Sequence, residues 1–131
     1  MAHILIVEDH GDNRDVTALI LTDAGYTVIS AGDGFNGLHM AEYNQPDLIV
    51  MDLALPNLDG WETTRRLKAN PATWHIPVIA CTAHVLPDDR ARALAAGCVS
   101  VIAKPFEIET LLTQIATVLA QYGRVRSVGS R

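Results

Sequence analysis

Only two of the 131 residues are cysteine. A pair so sparse is no metal framework, and Cys81 and Cys98 both sit in apolar, strand-like surroundings that predict reduced core thiols. Long apolar runs are missing too. None reaches the roughly 18 residues a membrane span needs, and Met1-Ala2-His3-Ile4 has no basic region to start a targeting segment, so a cytoplasmic protein is expected. Positive charge is scarce: the formal net charge is −5, and Arg124, Arg126 and Arg131 all fall in residues 123–131, leaving 7 basic against 15 acidic residues, or −8, in the body. An acidic body argues against nucleic acid or an anionic membrane as direct partner. No internal repeat or low-complexity segment occurs. His3, His10, His39 and His75 show no ligand spacing and read as surface or packing residues.

What the chain does have is apolar strand. With 49% hydrophobic and 19% charged residues, the expectation is one packed domain over residues 1–122, burying about two-thirds of its unfolded surface. Residues 123–131 carry no apolar pattern and read as a tail or linker stub. His3–Val7, Leu48–Met51, Ile76–Cys81 and Val99–Ala103 are runs of the kind covered on both faces of a sheet, and Thr27–Ala31 is polar enough for an edge. Helical patterns alternate with them. Val16, Leu19, Ile20 and Ala24 predict a first helix over Asp12–Ala24 with Gly25 as its stop. Phe35, Leu38, Ala41 and Tyr43 predict the apolar face of a second. Asp59 caps a third running to Lys68, Leu86-Pro87 opens a fourth that Gly97 ends, and Ile108, Leu111, Leu112, Ile115, Val118, Leu119 and Tyr122 stripe a fifth. Strands alternating with helices imply a doubly wound parallel sheet covered on both faces.

Chemistry-bearing residues end these strands. Glu8-Asp9 follows the first, Asp52 the third, Thr82 the fourth and Lys104-Pro105 the fifth, and the carboxyl edge of an open parallel sheet is where ligands bind. Taken singly, each has an ordinary explanation, since acids cap helices, Thr ends strands and Lys-Pro makes turns. Their repetition at one edge favours function. If strands one and three are neighbours, Glu8, Asp9 and Asp52 converge. Two carboxylates about 4 Å apart repel by roughly 4 kcal/mol at an effective dielectric near 20, so three together call for a cation. Oxygen-only ligands shared with water favour magnesium. Asp52 flanked by a metal, the Lys104 ammonium and the Thr82 hydroxyl is placed as a nucleophile toward phosphorus, with an aspartyl phosphate as product.

Ile4-Leu5-Ile6-Val7-Glu8-Asp9, Met51-Asp52-Leu53-Ala54-Leu55-Pro56 followed by Asp59-Gly60, Thr82-Ala83 and Lys104-Pro105-Phe106 together resemble the receiver domain of two-component response regulators, over residues 3 to about 122. The resemblance implies the CheY-like, flavodoxin-type fold: five parallel strands in order 2-1-3-4-5 with five helices. It implies a phosphorylation switch and no enzyme acting on other substrates: Asp52 accepts a phosphoryl group from a histidine kinase or phosphotransfer protein, and autodephosphorylation returns it. Asp9 as direct ligand, Glu8 through water, Asp52 and the Ala54 carbonyl then hold Mg2+. Thr82 and Lys104 sense the phosphoryl group, and the Lys104-Pro105 bond is cis. The surface of helix four, strand five and helix five would meet an unknown downstream protein or a second copy. One position departs. Where the family usually carries Tyr or Phe, three residues before the lysine, Val101 stands, so the usual coupling of Thr to a swinging ring is not available. His84, two residues beyond Thr82 and opposite the small Ala54, is expected to tune water's access to the aspartyl phosphate.

Three other readings compete. A flavin-binding module shares the strand order, but Glu8-Asp9-His10-Gly11-Asp12 repels a phosphate. A metal-dependent phosphohydrolase with an aspartyl nucleophile usually has a second acid where Ala54 stands, and a cap this chain is too short to supply. A binding-only receiver does not need Glu8, Asp9, Asp52, Thr82 and Lys104 all intact.

Overall fold

The first strand, β1 (His3–Val7), pairs in parallel with β2 (Thr27–Ala31) on one side and β3 (Leu48–Asp52) on the other. Continuing outward, β3 pairs with β4 (Val78–Thr82), and β4 with β5 (Ser100–Ala103). The order is β2-β1-β3-β4-β5, the doubly wound arrangement that the sequence implies, with β2 at one edge. The structure is a computed structural model that describes residues 2–83 and 86–129, with side chains through 122.

Both faces of the sheet are buried, which is why its central strands read as unbroken apolar runs. Leu5, Val7, Ile49, Met51, Val78, Ala80 and Val101 point into one layer. Ile4, Ile6, Leu48, Val50, Ile79, Cys81 and Ile102 point into the other. Full burial of each large side chain contributes about 1.5–3 kcal/mol. Helices α2 (Gly34–Asn44), α3 (Gly60–Ala69) and α4 (Pro87–Ala96) contribute Ala41, Leu67 and Ala93 to the first layer. Helices α1 (Gly11–Asp23) and α5 (Ile108–Gly129) contribute Leu21, Leu111, Ile115 and Val118 to the second.

Two helix faces differ from the sequence reading. In α1, Val16 and Leu19 are exposed and the buried residue is Leu21, flanked by partly buried Ala18 and Ile20. The inward spacing is Arg14, Thr17, Ala18, Leu21, a helical stripe whose first two members are polar. In α2, Phe35 and Tyr43 are exposed while Gly34, Gly37 and Ala41 are buried. The reason is close approach: a Cβ on Gly37 would stand 2.9 Å from Val7 Cγ2. Gly37 therefore meets the sheet, Gly34 meets Thr63 of α3 and Leu58, and the rings turn outward, Phe35 under the Arg66 guanidinium at 5.9 Å and Tyr43 beside His39 at 4.4 Å.

Boundaries shift slightly. β4 begins at Val78 and β5 at Ser100, two and one residues later than expected, and Ile108 is exposed rather than part of the buried stripe. Helix α5 continues past Tyr122, where its apolar stripe ends, to Gly129, so residues 123–129, read as a tail, lie in its helical backbone. Between α3 and α4, Arg92 lies 4.1 Å above the Trp61 ring. The Trp61 indole Nε1 beneath is buried without an acceptor, whereas Trp74 in the α3–β4 connection is exposed.

Candidate functional site

The carboxyl edge of the sheet gathers its polar residues because each strand ends there. Register places Val7 beside Met51 and Asp52 beside Cys81, so Glu8, one residue beyond β1, lies next to Asp52 at the tip of β3. Thr82 closes β4 opposite Ala103, and Lys104 follows with its backbone N–H donating to the Thr82 carbonyl at 2.8 Å. The Lys104–Pro105 bond is cis. Glu8, Asp52 and Thr82 are each about 95% buried or more, unusual for charged groups unless paired.

Glu8 is held at every polar atom. Its N–H donates to the Ala31 carbonyl at 3.1 Å, and its carbonyl accepts from Arg14 Nη1 at 2.8 Å. Its carboxylate accepts from Lys104 Nζ at 2.8 Å and from the His10 N–H at 3.1 Å. Asp52 Oδ1 accepts from the Ala54 N–H at 3.0 Å and lies 3.6 Å from Lys104 Nζ. The N-terminus of α3 packs directly on this strand end: Gly60 donates to the Leu53 carbonyl at 3.1 Å. A Cβ at Gly60 would collide with the Asp52 carbonyl oxygen, so only glycine fits there.

The two central carboxylates titrate apart. Burial and the neighbouring Glu8 push Asp52 up to about 6. Burial alone would raise Glu8 as well, but hydrogen bonds from Lys104, Asp52 and the His10 N–H outweigh it and hold Glu8 down to about 2. Burial works against the Lys104 ammonium, yet the two carboxylates win and its pKa is raised.

Ligand atoms of Glu8, Asp9, His10 and Asp52 all lie within 4.8 Å of one another. Asp9 Oδ1 is buried and accepts no hydrogen bond, an arrangement costly by about 1–3 kcal/mol or more for a charged group unless a cation takes the lone pair. The carboxylate oxygens suit a hard divalent ion such as magnesium. His10 lies on the surface, as the sequence implies, and also borders the site. It belongs to this cluster, with Nδ1 3.2 Å from Asp9 Oδ1 and 3.4 Å from Glu8 Oε2, although its side chain is 69% exposed. Adjacency to Glu8-Asp9 was its only sequence signal.

Of the other expected residues, Ala54 is exposed at the mouth and Val101 is buried in the layer with Ala80. His84 lies outside the described residues. Beside the acids runs a groove of about 410 Å3 lined by Asn13, Val16, Thr17, Ala83, Pro105 and Phe106, with Glu8 and Lys104 at its wall. Among the described residues no helix is long and apolar enough to cross a membrane.

Comparison with known proteins agrees with this geometry. A family model described as response regulator receiver domain matches residues 4–116. The chain is 35% identical over 125 residues to the DNA-binding dual master transcriptional regulator RpaA of Synechocystis sp., covering 95% of this chain but only 52% of RpaA, about half its length. It is 35% identical over 116 residues to the polar-differentiation response regulator DivK of Brucella anthropi, covering 88% of this chain and 94% of DivK. Among solved structures, the receiver domain of the sensor histidine kinase PA1611 from Pseudomonas aeruginosa PAO1, with a magnesium ion coordinated in its active site cleft, superposes with a TM-score of 0.85 at 36% identity, over 91% of this chain and 98% of that one.

Proposed function

The chain belongs to the response regulator receiver domain family, and from that membership we propose that it is a phosphoacceptor switch in which Asp52 takes a phosphoryl group from a phosphohistidine. The donor is a histidine kinase or a phosphotransfer protein. A carboxylate oxygen of Asp52 attacks phosphorus, the phosphorus–nitrogen bond breaks, and the departing imidazole keeps the electron pair and takes up a proton. The observation that carries this reading is one ammonium shared by two buried carboxylates: Lys104 Nζ lies 2.8 Å from Glu8 and 3.6 Å from Asp52. A fixed cation at that point neutralises charge that builds on transferred oxygens, and Thr82 adds a hydroxyl at the end of the adjacent strand.

Glu8, Asp9, Asp52 and the Ala54 carbonyl would hold Mg2+, with His10 at their rim. When bound, the ion supplies positive charge to the phosphoryl oxygens. The buried Asp9 Oδ1, which accepts no hydrogen bond and has only the exposed His10 imidazole nearby, and the oxygen-rich donor set support that assignment. Hydrolysis of the aspartyl phosphate resets the switch, so the chain catalyses only its own modification. A phosphohydrolase acting on free substrates is less well supported, because Ala54 offers no second acid beside Asp52.

Downstream, α4, β5 and α5 form the surface we assign to a protein partner or a second copy, in the cytoplasm. Val101 has no ring to swing, so the signal reaches that surface by another route than an aromatic at this position. His84 tunes the lifetime of the phosphorylated state: His84→Ala should change the dephosphorylation rate, and an unchanged rate removes that role. The central test is intact mass after incubation with Mg2+ and a small-molecule phosphodonor. One added phosphoryl group, absent in Asp52→Asn, is expected. No addition to the folded wild type under any donor, including phosphohistidine proteins, would overturn the reading.

A further inference from the structure

The guanidinium of Arg14 is not a member of the acid cluster, yet it holds the backbone that carries the cluster. Nη1 donates to the Glu8 carbonyl at 2.8 Å, at the point where β1 has ended and the chain turns toward Asp9 and His10. The same nitrogen lies 3.4 Å from where a Cβ on Gly32 would stand, and Nη2 lies 3.8 Å from the corresponding position on Gly11. The guanidinium thus lies against two glycines, at ordinary contact distance from each. Gly32 belongs to the β2–α2 connection and Gly11 to the start of α1, so one planar group spans the loop bearing the acids and the loop beside it. The anchor is closed from behind: the Arg14 N–H donates to the His10 carbonyl at 2.9 Å, and Glu8 N–H donates to Ala31, the residue before Gly32.

We propose that Arg14 is a positioning residue for divalent-cation binding, fixing the Glu8–His10 segment so that the Glu8 and Asp9 carboxylates present a preformed site. The inference rests on the reading of Glu8, Asp9 and Asp52 as a cation site. Its sign separates it from a plain charge effect. By Coulomb's law, removing a positive charge near a divalent cation tightens binding. Removing a positioning group loosens it, and groups that orient metal ligands from behind are worth 10–100-fold in affinity.

Mn2+ serves as a spectroscopic probe, titrated by electron paramagnetic resonance well below the melting temperature. Arg14→Met should weaken Mn2+ binding about tenfold despite the lost cation, and Arg14→Lys, which restores one donor, should fall between Arg14→Met and wild type. Thr73→Val is the folding control. The Thr73 hydroxyl donates to the Leu67 carbonyl at 2.7 Å, at the other edge of the sheet, so this variant should lower thermal stability without moving Mn2+ affinity. Binding by Arg14→Met equal to or tighter than wild type would overturn the inference. Failure of the wild type itself to bind Mn2+ would instead overturn the reading of the cation site.

Discussion

Two partly buried lysines stand at opposite edges of the sheet with opposite surroundings. At the carboxyl edge Lys104 faces Glu8 and Asp52, which raise its pKa against the effect of burial. At the amino edge Lys68 donates to the Trp74 carbonyl at 3.1 Å and the Ile76 carbonyl at 2.6 Å, where burial dominates and its pKa is lowered. Neutral carbonyls stabilise an ammonium less than carboxylates do. The amino edge is otherwise closed by local bonds: Gln45 reaches the Ala72 carbonyl at 2.9 Å, Asp47 accepts from the His3 N–H at 2.8 Å, and Thr73 ties back to Leu67. Among the described residues, one edge pairs its polar groups and holds the fold; the other leaves Asp9 Oδ1 with no hydrogen bond and only the exposed His10 imidazole beside it, and sets two carboxylates competing for one cation. The candidate site lies where satisfaction is incomplete.

Exchanging the lysines' roles by mutation tests that contrast. The largest effect is expected from Lys104→Met, which should slow phosphorylation of Asp52 by about 10²-fold or more in the folded fraction, on the scale of losing a donor to a developing charge; timed intact-mass measurement reads it, and stability should fall as well because Glu8 loses its cation. Lys68→Met should spare the chemistry. It strips the donor from two carbonyls and costs about 1–3 kcal/mol of stability in denaturant unfolding, while the phosphorylation rate of the folded fraction stays at the wild-type value. A Lys68→Met protein that is stable but slow would erase the distinction between the edges.

A smaller effect follows from pH. Asp52 titrates near 6 in the folded chain against an ordinary value of 3.8, so its ionisation is disfavoured by folding. In metal-free protein this penalty grows as pH rises from about 4 to 6 and is complete above 6. Asp52→Asn removes it. The variant should gain on the order of 1–2 kcal/mol over wild type at pH 7.5 with chelator present, after screening by water at the mouth of the site, and the gain should vanish by pH 4. Glu8 runs the other way. Its low value stabilises the fold above about pH 4.5, a contribution lost as pH falls toward 2. No gain for Asp52→Asn at pH 7.5 would mean that the crowding of carboxylates costs the fold nothing.

The sheet and the placement of Glu8, Asp9, Asp52, Thr82 and Lys104 were legible in the sequence because two-sided burial writes a strand as a continuous apolar run and leaves its ending conspicuous. The inward faces of α1 and α2 were not. Arg14 and Thr17 are polar on the half-buried inward stripe, and Gly34 and Gly37 bury by lacking side chains, so hydrophobic periodicity points to Val16, Leu19, Phe35 and Tyr43 instead. His10 and Arg14 escaped for a different reason: one acts beside its sequence neighbours through an exposed ring, the other through a backbone carbonyl, and neither contact leaves a pattern of residue types.

The pairing of Arg92 with Trp61 has an optical consequence. Trp61 keeps its indole N–H out of water beneath a guanidinium, while Trp74 is 60% exposed. The chain therefore carries two native fluorophores in contrasting media, one per edge: α3 begins at the carboxyl edge with Trp61, and its loop delivers Trp74 to the amino edge. Trp74→Phe should leave a blue-shifted emission poorly quenched by iodide, and Trp61→Phe a red-shifted one that iodide quenches readily. Each edge can then be watched separately, without an added dye.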